Sequence, residues 1–156
     1  MSESRPYIFG LSEIETQHEE IGFLMQAVQD IVDEPARHRS ASAILGVLMQ
    51  RLKTHFELEE AVMNLLLLPD TERHTAVHAE ILGGIEFCQH SLASGRDVAF
   101  KASVQVCLEQ IRYHDQRFVD SLAQFHAVSD DAYTQEAIAF WERGDAGRER
   151  ARVRRR

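Results

Sequence analysis

Histidine is the residue type in this chain that most clearly offers chemistry. There are eight histidines, and the spacing of several follows the helical period. His55 and Glu59 are four residues apart, and so are His74 and His78. That spacing places both side chains of a pair on one face of a helix, one turn apart. Because neutral imidazole is a common metal ligand, the two pairs together predict a metal site.

Two further histidines continue the apolar stripes of other helices. His18 lies four residues after Ile14, and His114 lies three residues after Ile111. Burying several imidazoles and a carboxylate without partners would cost free energy. Six candidate ligands spread over four helices therefore favour a metal site over isolated core histidines. Three histidines lack an obvious partner, and we predict them at the surface: His38, His90 and His126.

The donor types narrow the choice of metal. Imidazole suits Zn, Cu, Fe and Ni, and a carboxylate shifts the preference towards Fe or Mn. A structural zinc site needs only four ligands. Six ligands are enough for two metals that share a bridging carboxylate and keep a coordination position open. Iron pairs of that kind bind or activate O2, but the residues leave one metal, or a metal other than iron, as alternatives.

Helices are the elements that must position these ligands. Apolar residues recur at helical period in four long segments, and strand-type alternation is weak. The four segments run from about Ser12 to Asp33, Ser40 to Leu67, Asp70 or Thr71 to Ala93, and Val98 to His126. Short connections between them predict an all-α fold, an up-down-up-down four-helix bundle. A short additional C-terminal helix is predicted from Asp131 to Arg143.

Small residues inside the predicted helices carry two further expectations. Gly83 and Gly84 lie within the third helix, where glycine lowers helix stability. They predict a close helix contact or a bend. Cys88 and Cys107 do not make a disulfide framework, and we predict them as small buried residues.

Length and composition indicate one domain, with the bundle over residues 1–145 and a basic tail over 146–156. No apolar run is long enough to cross a bilayer, and the first ten residues do not resemble a signal peptide. These features predict a cytoplasmic protein with no membrane span.

The net charge of −8 is unevenly distributed, because residues 148–156 hold six arginines and one glutamate. The body of the chain is correspondingly more acidic, which argues against a nucleic-acid-binding surface on the bundle. We predict a disordered tail, although a basic tail can also contact nucleic acid or anionic lipid. The fifth helix and the tail are candidate docking elements for a protein partner.

The ordered motifs resemble those of the hemerythrin family. Residues 14–18 (Ile-Glu-Thr-Gln-His) resemble its first-helix motif, Ile-Asp-x-Gln-His. Residues 55–63 resemble its second-helix motif, His-Phe-x-x-Glu-x-x-x-Met. His74 and His78 match its third-helix pair, and His114 falls where its fourth-helix histidine is expected. The resemblance is to bacterial single-domain hemerythrins and covers residues 7–125.

The resemblance implies a non-haem di-iron protein that binds O2 reversibly as a carrier, store or sensor, and not an enzyme. It also implies that the same site could bind small ligands related to O2, such as NO, azide or peroxide. It implies that Glu59 and an oxo or hydroxo group bridge the irons, and that Phe56, Ile21 and Ile111 line a dry pocket. It divides the histidines between the two ions, with His74, His78 and His114 on one and His18 and His55 on the other.

One position departs from the family pattern. The fourth-helix motif of the family is His-x4-Asp, and Val119 stands where its bridging Asp is expected. We predict Asp120 as the replacement ligand, brought inward by a local π-bulge, with Asp115 as the alternative. On a regular helix, Val119 is expected to face the core.

The missing Asp leaves other functions open. An altered bridge favours a di-iron oxidase or peroxidase, or an NO-binding protein, as the alternative to reversible O2 binding. The low number of inward carboxylates disfavours a ferritin-like enzyme. A metal-free helical interaction protein is the third class, and it predicts a stability that chelators do not change.

Overall fold

The computed structural model describes residues 11–128. This part of the chain forms four α-helices and a 3-10 turn at Pro35–Arg37 between the first two helices. The helices are α1 (Leu11–Ile31), α2 (His38–Leu65), α3 (Thr71–Ala93) and α4 (Asp97–Val128). The predicted fifth helix and the basic tail lie outside the described residues.

Neighbouring helices in the bundle are antiparallel. Arg51 of α2 pairs with Glu20 of α1, three turns before the end of α1. Lys101, near the start of α4, pairs with Asp33, just after the end of α1. The architecture is the predicted up-down-up-down four-helix bundle, and residues 11–128 contain no strand. Within the same residues, none of the helices is long and apolar enough to span a bilayer.

The hydrophobic core is divided into two clusters along the bundle axis. The larger cluster includes Ile21, Phe56 and Ile111, and the smaller one includes Ile14 and Phe118. Between them lies a layer of buried polar side chains that comes from the same helix faces. Because each ligand candidate replaces an apolar residue in its helix stripe, the helical period that builds the core also points these side chains inward.

Turns with left-handed backbone end two of the helices. After α2, Leu67 and Asp70 have φ values of 50° and 62° on either side of Pro69. After α3, Gly95 has a φ of 69°, and its N–H donates to the carbonyl of Leu92. These short turns hold consecutive helices side by side. The first of them brings the ligand pairs of α2 and α3 to the same level of the bundle.

The glycines of α3 and the two cysteines can be compared with the sequence predictions for small residues. A Cβ added to Gly84 would lie 3.4 Å from Sγ of Cys107 on α4, whereas one added to Gly83 would meet nothing within 4 Å. The predicted close helix contact therefore belongs to Gly84. Cys88 and Cys107 are both buried free thiols, as predicted.

The prediction that His38 lies at the surface was wrong. Its side chain is buried, and its Nε2–H donates to the carbonyl oxygen of Val32 at 3.1 Å. The ring also contacts Phe100 of α4, with 5.2 Å between ring centroids. His38 begins α2 against the end of α1, and the helical period of α2 does not reveal that contact. His90 is exposed, as predicted, and the side chain of His126 lies outside the described set.

Candidate metal centre

The polar layer of the core contains side chains from all four helices. Their stripes converge at one level of the bundle, so residues that are far apart in sequence become neighbours. The layer consists of His18 on α1, His55 and Glu59 on α2, His74 and His78 on α3, and His114 and Asp115 on α4. These side chains form two groups that can each hold a metal ion, and Glu59 belongs to both.

The first group, called here the three-histidine group, is Glu59, His74, His78 and His114. The Nε2 atom of His114 lies 2.9 Å from that of His78 and 3.0 Å from that of His74. Oε2 of Glu59 lies 3.1 to 3.5 Å from the three nitrogens. A tetrahedral ion with metal–nitrogen bonds of about 2.1 Å places its ligands roughly 3.4 Å apart. The donors are thus close to the spacing that such an ion needs.

The second group, called here the two-histidine group, is His18, His55, Glu59 and Asp115. Glu59 turns its other oxygen, Oε1, towards it, at 3.0 Å from Nε2 of His55 and 3.8 Å from Nε2 of His18. Oδ1 of Asp115 completes the set, at 3.7 Å from Nε2 of His18 and 3.9 Å from Nε2 of His55. One carboxylate therefore faces both groups, with one oxygen towards each.

Unsatisfied atoms test whether these residues suit a metal. All four donor atoms of the two-histidine group are buried and make no hydrogen bond: Nε2 of His18 and His55, Oε1 of Glu59 and Oδ1 of Asp115. His55 and Glu59 are close, but they are not aligned for a hydrogen bond. Orphaned buried polar atoms are rare and costly. Four that converge on one point fit an ion well, because a metal would satisfy all of them.

The charge of Glu59 depends on the surrounding histidines. Its side chain is fully buried. Burial alone would raise the pKa of this carboxyl, but the ring nitrogens of His18, His55, His74 and His78 outweigh that effect and hold the pKa far below its ordinary value. A carboxylate that stays ionised in the core is a strong ligand for a cation.

Solvent approaches the site where α1 faces α4. His18 and Asp115 are 17% and 18% exposed and face each other across this seam. His55, in the same group, is fully buried. Burial alone would lower the pKa of His18. The nearby carboxylates of Glu59 and Asp115 raise it by more, so the net shift of the pKa is upward. Both side chains are thus partly exposed at the seam, whereas their donor atoms, Nε2 of His18 and Oδ1 of Asp115, are buried.

Two residues hold the ligand histidines from behind. Oε1 of Gln17 accepts a hydrogen bond from Nδ1–H of His55 at 3.0 Å, and Oε1 of Glu60 accepts one from Nδ1–H of His78 at 2.7 Å. Sequence reasoning missed both roles. Gln17 belongs to the first-helix motif, which was a usable signal, whereas Glu60 differs little in sequence context from any exposed acid of α2.

Apolar side chains close the site on its core side. The ring of Phe56 stacks on that of His78, with centroids 3.9 Å apart and planes 5° from parallel. Ile21 and Ile111 are fully buried in the same cluster as Phe56. The three residues that we expected around a dry pocket are therefore buried together beside the polar layer.

The structure places the two candidate carboxylates of α4 differently. Asp120 is exposed, and its Oδ1 accepts a hydrogen bond from the Gln116 amide. It lies outside both groups, and α4 is a regular α-helix through this region, without the expected π-bulge. Asp115, the alternative, lies inside the two-histidine group. Val119 is 37% exposed, so the expectation that it faces the core was wrong.

Comparison with known proteins found no matching family model, no matching curated protein and no matching solved structure. The residues and their geometry are thus the basis for a function. They define an all-α bundle whose buried His, Glu and Asp side chains can hold metal.

Proposed function

We propose that this bundle is a non-haem di-iron protein that binds O2 reversibly, as a carrier, store or sensor, and that it is a binding protein and not an enzyme. The observation that carries the proposal is the pair of four-donor groups that share Glu59. A carboxylate with one oxygen towards each group is suited to bridge two ions. The motif resemblance to hemerythrins supports the same assignment.

The donor set supports iron as the metal. Five imidazoles and two carboxylates surround the two positions, and neither group contains a cysteine. Such a mixture suits iron better than a soft metal that prefers thiolate. An iron pair, when bound, supplies the reducing equivalents for reversible O2 uptake. Four protein donors would complete a tetrahedral zinc site, whereas a six-coordinate iron would keep positions open for a ligand.

The protein itself contributes positioning and exclusion of water. Phe56 holds the His78 ring by stacking, and the buried Ile21 and Ile111 keep that side of the site apolar. A dry pocket slows proton delivery to reduced oxygen species, which favours release of O2 over peroxide. The partly exposed seam between His18 and Asp115 is the side from which a diatomic ligand would approach.

The second candidate function is a di-iron oxidase or peroxidase, or an NO-binding protein. The placement of Asp115 favours it, because this carboxylate faces only the two-histidine group. The two ions would then share one protein carboxylate, Glu59. A pair with a weaker bridge is more labile and autoxidises more readily.

The test is anaerobic reconstitution with Fe(II), followed by iron analysis and ultraviolet–visible spectra through cycles of O2 addition and removal. We expect two irons per chain and a charge-transfer spectrum that appears with O2 and disappears without it. Glu59→Gln should lose the spectrum, and Glu57→Gln, an exposed change on the same helix, should keep it. Rapid irreversible oxidation with peroxide turnover would favour the second function. If the wild type bound no more iron than the Glu59→Gln variant, both candidate functions would be overturned.

A further inference from the structure

Two candidate ligand histidines, His55 and His78, each form a hydrogen bond through Nδ1, the ring nitrogen on the side away from Glu59, called here the rear side. The two groups that accept these hydrogen bonds differ in charge. Glu60 lies behind His78, with its Oε1 2.7 Å from Nδ1 and its side chain 33% exposed. Gln17 lies behind His55, with its Oε1 3.0 Å from Nδ1. The amide nitrogen of Gln17 donates to Oε1 of Glu13 at 3.2 Å, which orients its oxygen towards His55. One ligand is thus backed by a carboxylate and the other by a neutral amide.

These contacts determine which nitrogen of each ring is free to bind a metal. A carbonyl or carboxylate oxygen only accepts, so Nδ1 of both His55 and His78 must be the donor. A ring that binds metal is neutral and carries one N–H, so with Nδ1 as the donor its lone pair lies on Nε2. In both rings Nε2 is the atom that faces Glu59. The rear contacts thus select the tautomer that the metal centre requires.

The charge of the rear group also affects the ligand strength of the ring. A carboxylate behind an imidazole raises its basicity as a ligand, and loss of such a partner typically weakens metal binding by about 10- to 100-fold. A neutral amide orients the ring without that added charge. Glu60 contacts a ring of the three-histidine group, and Gln17 contacts a ring of the two-histidine group.

We propose that Glu60 and Gln17 are positioning residues that act through His78 and His55, and that each sets the metal affinity of one of the two groups. The proposal rests on the proposed function, because it assumes that both groups bind metal. Neither residue is a ligand. Together they allow the metal affinity of each group to be changed separately, by residues that do not bind the metal themselves.

The experiment is a titration of the metal-free protein with Zn(II), a diamagnetic probe, followed by long-range proton–nitrogen NMR of labelled histidine rings. The ring signals of His74, His78 and His114 report on one group, and those of His18 and His55 on the other. In the wild type, we expect His55 and His78 to carry the proton on Nδ1 even before zinc is added. We expect two zinc ions to bind.

Glu60→Gln keeps an acceptor behind His78 but removes the charge. We expect zinc to bind the three-histidine group about 10-fold or more weakly, with the tautomer of His78 and the affinity of the two-histidine group unchanged. The matched control is Glu57→Gln, which removes an exposed charge from the same helix. A merely structural contact between α2 and α3 would lower thermal stability without this selective change in affinity.

Gln17→Glu adds a charge behind His55, and we expect it to tighten zinc binding by the two-histidine group only. Gln26→Glu, at an exposed position of α1, is its matched control. The double variant Q17E/E60Q conserves net charge and should shift the two affinities in opposite directions. Equal changes in both groups, or changes that the controls reproduce, would overturn the proposal while leaving the metal site intact.

The two proposals fail in different ways. Selective zinc effects without reversible O2 binding by the iron form would support this inference and overturn the proposed function. If two zinc ions bind with affinities that do not depend on residues 17 and 60, this inference is overturned, and the iron reconstitution alone decides the proposed function. A wild-type protein that binds no zinc would overturn this inference, and the iron reconstitution would then decide the proposed function.

Discussion

The fourth-helix carboxylate shows how much depends on single residues. Asp115 follows His114 directly, so its side chain points about 100° around α4 from the histidine. That rotation turns it towards α1, where its Oδ1 lies 3.7 Å from Nε2 of His18. Asp120 lies on the exposed side of the helix. A shift of a few positions along one helix therefore decides whether a carboxylate faces the metal centre.

Replacing each of these acids separately tests the arrangement. Asp115→Asn should weaken metal binding by the two-histidine group about 10-fold or more, because an amide is a poorer ligand than a carboxylate. Asp120→Asn should leave binding unchanged, because its partner is the Gln116 side chain. Metal content and isothermal titration with Zn(II) measure both. If Asp120→Asn removed an ion and Asp115→Asn did not, this placement of the ligand would be wrong.

The depressed pKa of Glu59 leads to a pH prediction for the metal-free protein. Below the ordinary value of 4.5, the unfolded chain takes up a proton at this carboxyl and the folded protein does not. The ionised Glu59 carboxylate therefore stabilises the folded protein above that pH, and this contribution to the free energy of unfolding is lost as the pH falls. The loss is up to about 1.4 kcal/mol of unfolding free energy for each pH unit.

Denaturant unfolding between pH 5 and pH 3 measures this effect. The wild type should lose stability more steeply than Glu59→Gln, which has no carboxyl to titrate at this position. The control is Glu57→Gln, an exposed change that should retain the wild-type slope. Parallel slopes for wild type and Glu59→Gln would contradict the depressed pKa.

The helices position the site through their stripes and their ends. α3 is the least regular in sequence, because it carries two adjacent glycines in its interior. Only Gly84 faces another helix closely, at the Cys107 side chain, and Gly83 borders open space. Each glycine lowers the intrinsic stability of α3, but only one of them has a packing reason.

Alanine substitutions separate these effects. Gly83→Ala should raise the free energy of unfolding by about 0.5 to 1 kcal/mol, because alanine loses less backbone entropy in a helix and its methyl group meets no neighbour. Gly95→Ala should lower it by about 1 kcal/mol or more, because its φ of 69° suits glycine. Thermal unfolding of the metal-free proteins measures both. A destabilising Gly83→Ala would show that α3 needs glycine there for another reason.

At the scale of the whole molecule, the polar layer is a weak point that a metal would strengthen. It separates two apolar clusters and contains buried atoms with no hydrogen-bond partner. Ions at this level would connect all four helices through the side chains of the two groups. Metal binding and the stability of the folded bundle should therefore be linked.

Metal removal should lower the melting temperature of the wild type. A ligand at a free concentration 100 times its dissociation constant stabilises the native state by about 2.7 kcal/mol. Scanning calorimetry with and without a chelator measures the difference. The control is Glu59→Gln, whose melting temperature should respond little to chelator. Identical wild-type curves under both conditions would instead favour the metal-free interaction protein.

Much of the site was predictable because the helical period relates sequence to direction. The spacings from His55 to Glu59 and from His74 to His78 place each pair on one face, and the apolar stripes show which face is inward. The helix ends also followed from proline and glycine, to within about two residues. The inward direction of the five candidate ligand histidines was therefore accessible from the residues alone.

Contacts between helices were less accessible. The burial of His38 depends on the end of α1 and on Phe100 of α4, and the rear contacts of Gln17 and Glu60 cross from one helix to another. Sequence spacing describes angles around one helix, but it contains no direct measure of how two helices are rotated against each other.

The sequence by itself determined the all-α class, the four helices and the inward direction of the five candidate ligand histidines, because local spacing controls each of these. Only the tertiary structure decided that Asp115 joins the candidate metal centre, that Asp120 is exposed, and that Glu59 turns one oxygen to each group. The reason is geometric. A donor set is complete only when four helices have fixed rotations and heights, and those are set by packing of the whole core.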